Sequence, residues 1–166
     1  MSTWAKSSPD RNLMSKETQN VSYSTLANIP RGRIQKIINE SKPMIGCAKK
    51  CRNIWAAIWK ADFWNEGSLN EANIELVFEK NKETIYELLR ITTVHDFVDV
   101  FDWDKDGFLN EDEQVSIFSL IKEKMQLLSE ELATIHEYQM YKDIMKEVWA
   151  LENDIVGYQS ELWTNI

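Results

Sequence analysis

Two cysteines, three prolines and five glycines in 166 residues, and no apolar run near the length of a membrane span, narrow the field before any motif is read. Cys47 and Cys51 stand four apart on a helical pattern. A disulfide framework is therefore not expected, and reduced, buried thiols are. A zinc site would need further ligands, and neither His95 nor His136 is near in sequence. The opening MSTWAKSSPDRN lacks the hydrophobic core of a secretion signal and carries Ser2 where myristoylation requires glycine. The expectation is a cytoplasmic protein with no integral membrane segment. The chain also has no Ser–His–Asp order, no glycine-rich phosphate loop and no HExxH string, so no residues can be named for an enzyme.

What is present is ample core material and a divided charge. The hydrophobic content is 43% with seven tryptophans, enough for a packed domain. Residues 1–60 carry eleven Lys and Arg against three Asp and Glu, net +8. Residues 61–166 carry eight against twenty-four, net −16, and the two sum to the overall −8. An acidic body disfavours nucleic acid and favours cations or basic partner helices. The basic front either neutralises that body or serves as a membrane- or partner-binding arm.

Residues 1–28 are rich in Ser, Thr, Asn and charge, the composition of a mobile tail. Ile34, Ile37 and Ile38 then repeat at helical spacing beside Arg31, Arg33 and Lys36, and Pro43 ends that helix. Helical periodicity dominates from there to the C-terminus, with no sustained alternation of period two, so the fold class is all-α. An internal repeat appears at an offset of forty residues. Val94, Phe97, Val98 and Phe101 form the core stripe of a short helix whose N-cap is Thr92 or Thr93. Ile54, Ala57, Ile58 and Ala61 occupy the same places upstream, and Asp62, Gly67, Leu69, Asn70 and Glu71 match Asp102, Gly107, Leu109, Asn110 and Glu111. Two helix–loop–helix units in tandem are expected.

The segment DWDKDGFLNEDE, residues 102–113, carries the chemistry. Asp102, Asp104 and Asp106 are its first, third and fifth members, where a loop wrapping a cation turns alternate side-chain oxygens inward. Gly107 is sixth, at a sharp turn that a Cβ would obstruct. Phe108, seventh, offers its carbonyl oxygen, Asn110, ninth, acts through water, and Glu113, twelfth, reaches back with both carboxylate oxygens. Carboxylates so placed repel one another without a cation. Oxygen-only donors and a coordination of about seven favour Ca²⁺, with Mg²⁺ a smaller competitor that fits less well.

This pattern resembles the EF-hand at every ligand position. The resemblance implies that paired hands join their loops through a short β contact at the eighth position, here Leu69 beside Leu109. The upstream loop, residues 62–73, keeps Asp62, Gly67 and Leu69 but has Trp64 third, Glu66 fifth and Asn73 twelfth. It is expected to bind Ca²⁺ weakly or not at all and to support its partner loop. The span from NIWAAIWKADFW to FVDVFDWDKDGFLNEDE is similar to the central part of sarcoplasmic calcium-binding proteins, calexcitin and photoproteins.

Further along, a long helical tract with an N-cap at Ser129 carries Ile144, Val148 and Leu151. Residues 152–163, ENDIVGYQSELW, read either as a decayed third hand or as an ordinary helix end. The domain reading is thus a tail at 1–28, a basic helix with a paired EF-hand-like unit at 29–122, and a C-terminal helical region at 123–166. Trp55, Trp59, Trp64, His95, His136, Tyr138 and Trp149 invite comparison with a photoprotein pocket, but aromatics at helical spacing are read as core. Function is expected to be Ca²⁺ binding by a monomer, as a sensor acting on a protein partner helix. The alternatives are a Ca²⁺ buffer and a structural adaptor in which Ca²⁺ only stabilises the fold.

Overall fold

Apolar stripes at helical spacing build seven α-helices in the computed structural model of the chain, which describes residues 29–62 and 67–164, with side chains to residue 160. They are α1 (Arg31–Ser41), α2 (Cys47–Ala61), α3 (Glu71–Lys80), α4 (Lys82–Leu89), α5 (Val94–Phe101), α6 (Glu111–Thr134) and α7 (Tyr138–Thr164). A 3-10 turn, Lys42–Met44, contains Pro43 and closes α1 where the proline predicted a stop. The described residues are helical with no strand, and one isolated antiparallel bridge joins Leu69 to Leu109. No described helix is long and apolar enough to cross a membrane. The expected tail, residues 1–28, lies outside the described residues.

The two long helices α6 and α7 form a hairpin, and its turn corrects one expectation. Ser129 is not an N-cap. It sits inside α6, its hydroxyl donating to the carbonyl of Gln126, because the apolar stripe of Met125, Leu128 and Leu132 runs straight past it. The helix ends instead at His136, which adopts a left-handed backbone with φ 61°. Glu137 N–H donates to Leu132 O at 2.9 Å and His136 N–H to Ala133 O at 3.1 Å, the paired bonds of a Schellman stop. For residues 152–163 the structure decides between the two readings. They form no loop, as a decayed hand would, but the C-terminal end of α7, which continues through them to Thr164. Leu151, Ile155 and Tyr158 keep a core stripe there, and burial outweighs the glycine at 157.

The core joins both ends of the chain. Trp55 of α2 stacks on Tyr158 of α7 at 4.4 Å and meets Phe118 of α6 edge-on at 5.8 Å. A second aromatic group, Phe78, Phe97 and Phe101, lies under the loops, with centroids 5.7 and 5.0 Å apart along the series. Cys47 and Cys51 are buried as free thiols, Sγ to Sγ 3.8 Å; their mutual hydrogen bond, then burial, push the Cys51 thiol far up, which leaves it inert.

Part of the divided charge is paired within the described fold. Arg33 reaches Glu131, Lys50 reaches Glu87, and Arg52 reaches Asp154, so the basic front lies on the acidic body. Each such surface pair contributes little to stability, about 0–1 kcal/mol. A more specific contact is Glu147 of α7, whose Oε1 accepts the Ala48 N–H at 2.9 Å. The N-cap of α2 is Gly46, which has no side chain to offer, so an acid from another helix satisfies the exposed N-terminal donor.

Candidate metal centre

The 102–113 loop is shaped by its own backbone donors. Phe101 closes α5 in the core at 2% exposure, and the next residue, Asp102, is equally buried. Asp102 Oδ2 accepts the Gly107 N–H at 2.9 Å, which draws the loop into a ring. Gly107 has φ 84°, a conformation that side-chain-bearing residues rarely hold. Asp106 Oδ1 accepts from Phe108 N–H at 2.9 Å, and Asp104 Oδ1 from Asp106 N–H at 3.4 Å. Asn110 begins α6 as its N-cap, its Oδ1 accepting from Glu113 N–H at 2.9 Å, and Glu113 Oε1 returns the bond to Asn110 N–H at 2.9 Å. The other carboxylate oxygen of Glu113 accepts the Trp103 N–H at 2.7 Å across the ring.

The result is convergence of like charges. One oxygen from each of Asp102, Asp104, Asp106 and Glu113 lies within 4.8 Å of the others. Asp102 and Glu113 form the buried floor, while Asp104 and Asp106 are exposed. Asp102 Oδ1 is fully buried and has no hydrogen-bond donor among the described residues. Burial would raise the Asp102 pKa, but the Gly107 N–H and the neighbouring acids outweigh it and hold the group below the usual carboxylate range. Asp104 moves the opposite way, raised by its packing and by the carboxyls of Asp102 and Asp106.

A buried carboxylate with one orphaned oxygen, in a group with three further carboxylates, fits a hard cation, because an ionised oxygen without a donor is costly to bury. Of the six residues picked out in sequence, four acids are brought together. Phe108 lies in the same ring with its side chain 46% exposed, and Asn110 uses its side-chain oxygen to cap α6. Trp103 points outward, 60% exposed, as a second loop member should.

The described residues of the upstream loop repeat three of these features. Asp62 Oδ2 accepts Gly67 N–H at 2.7 Å, Gly67 has φ 79°, and Asn70 with Asn73 forms the same reciprocal cap that Asn110 forms with Glu113. Residues 63–66, including Trp64 and Glu66, lie outside the described residues. Leu69 and Leu109 exchange both N–H···O bonds at 2.9 Å, each side chain 1% exposed. Glu111 covers the upstream loop so closely that a Cβ on Gly67 would stand 3.2 Å from its carboxylate carbon.

No family model, curated protein or solved structure matches this chain. The site is accordingly read from its own geometry. That geometry includes a residue the sequence reasoning passed over: Gln114, 2% exposed, donates to carbonyls in both loops. The available signal was a polar residue in a stripe that continues as Ile117, Phe118 and Ile121. The aromatic residues, by contrast, do not form one pocket. Trp55 is core, Trp149 and Tyr138 are exposed on α7, and the His95 side chain is 82% exposed on α5.

Proposed function

We propose that residues 102–113 bind one Ca²⁺ in the manner of an EF-hand, and that the paired units of residues 47–122 act together as a Ca²⁺ sensor. The observation that carries the metal reading is that Asp102, whose Oδ1 is buried and has no donor among the described residues, brings a carboxylate oxygen within 4.8 Å of those of Asp104, Asp106 and Glu113. Asp102, Asp104, Asp106 and Glu113 would supply side-chain oxygens, Phe108 its carbonyl, and Asn110 a water-mediated contact. A bound Ca²⁺ supplies positive charge that lets these oxygens coexist. Mg²⁺ needs a tighter octahedral shell and competes less well. Affinity is expected in the sensor range, about 10⁻⁷ to 10⁻⁵ M.

The sensor reading draws support from an open groove of 570 Å³ beside the loop, lined by Val100, Phe101, Trp103, Val115, Ser116 and Leu120. Asp112 and Glu123 stand on its rim, the charge that would favour a basic amphipathic helix as partner. Most of its lining comes from α5 and α6, the helices entering and leaving the loop, with Trp103 of the loop and Gln159 of α7 completing it, so a change in the angle between α5 and α6 alters the groove. Arg33 of α1 and Lys50 and Arg52 of α2 already meet acids of the same chain, which weakens the adaptor reading. A calorimetric titration of the full chain with Ca²⁺ tests the metal reading: one ion per chain is expected, and no heat of binding overturns it. Apolar-dye fluorescence with and without Ca²⁺ tests the sensor, and an unchanged signal would favour a buffer.

A further inference from the structure

We infer that Gln114 is a positioning residue that ties the 62–73 loop to the 102–113 cation site and sets its affinity; this rests on the Ca²⁺ reading above. Its carboxamide is buried at the junction of the loops. Nε2 donates to Leu109 O at 2.8 Å and to Gly67 O at 2.9 Å, so both N–H groups are used, one toward each loop. The orientation admits no alternative, because the reversed amide would set its oxygen against two carbonyl oxygens.

Position explains why these bonds bear on the metal. Gln114 follows Glu113 directly, in the first turn of α6, and its own N–H donates to Asn110 O at 2.9 Å. Leu109 O is thereby held from two sides, by Gln114 and by the Leu69 N–H at 2.9 Å. The backbone that carries Glu113 is thus braced against the eighth member of its own loop and against the sixth member of the other. Packing alone does not call for an amide here, since Ile117, Phe118 and Ile121 continue the same stripe and an apolar side chain would fill it. The amide does what an apolar group cannot, fixing the height of the twelfth ligand against a second loop. Through the same bonds, tightening of one loop around a cation is transmitted to Gly67 and on to α3.

The test is Ca²⁺ titration by calorimetry on the full chain and on Gln114→Leu, which keeps the volume and removes both donors. Ile144→Val, in the core of α7 away from the loops, serves as a control for simple destabilisation. Gln114→Leu is expected to weaken Ca²⁺ binding about tenfold, within the usual span of coupling between sites. The ion count should stay at one, and Ile144→Val should remain within twofold of the parent whatever its melting temperature. Gln114→Glu, which keeps the shape but loses the paired donors, should weaken binding in the same direction and takes the place of the leucine variant if that one does not fold. Parent-like affinity in the Gln114 variants overturns the inference while leaving the Ca²⁺ reading intact. Absence of binding in the parent chain overturns both.

Discussion

The loops at 62–73 and 102–113 share the hydrogen bonds of their described residues and differ in the side-chain oxygens their sequences supply. Both open with an aspartate that accepts the N–H of a left-handed glycine, and both end in a reciprocal cap on the following helix. At the twelfth position one has Asn73 and the other Glu113, and at the third one has Trp64 and the other Asp104. The comparison teaches that the ring is made by hydrogen bonds, while the capacity to hold a cation depends on which carboxylates the ring carries. The described residues of the upstream loop keep the glycine turn and the helix cap without those charges, and Leu69 pairs across the bridge to Leu109.

The largest effect expected is from Glu113→Gln, which makes the twelfth position of the second loop resemble the neutral one of the first. Ca²⁺ affinity should fall by about a hundredfold or more, read by calorimetry, since the bidentate ligand is lost. Leu109→Ala and Leu69→Ala should each cost about 2–5 kcal/mol in denaturant unfolding, because both side chains are buried under the bridge. If only Leu109 mattered, the two loops would not be supporting each other. In the opposite direction, Trp64→Asp with Asn73→Glu should raise the ion count from one to two; a count still at one would mean the upstream ring cannot close on a cation. Acid provides a milder discriminator. Protonation of Asp104, whose carboxyl is held above its ordinary range, would compete with a cation for its oxygens, so affinity should be constant above that pKa and fall as pH drops through it. Smallest and most alike should be Asn70→Ala and Asn110→Ala in chelator, each losing about 1 kcal/mol of stability as a helix cap is removed.

Much of the helical plan was legible because it depends on local spacing. The stripe from Val94 to Phe101 and its cap at Thr93, which accepts the Asp96 N–H, could be read directly. So could the forty-residue repeat, since turn glycines and caps act within a few residues. Ser129 was misread as a cap for a physical reason. Ser129 has the chemistry of a cap, but buried residues on both sides of it carry the helix onward. His136, a residue that gives no stop signal in sequence, takes the left-handed position that is usually filled by glycine. Residues 152–163 offered acids and a glycine, yet packing of Ile155 and Tyr158 against α2 and α6 keeps them helical. Gln114 and Glu147 could not be assigned at all, since their partners are 47 and 99 residues away.

The order of amino acids by itself determined where the acids, the turn glycines and the apolar stripes stand, because those follow from spacings of one to four residues. Only the tertiary structure decided that Asp102 loses its solvent and one oxygen its donor, that an amide spans two loops, and that a distant acid caps α2. The reason is that burial and long-range hydrogen bonds are properties of which helices meet. Local spacing does not specify that meeting, and packing does.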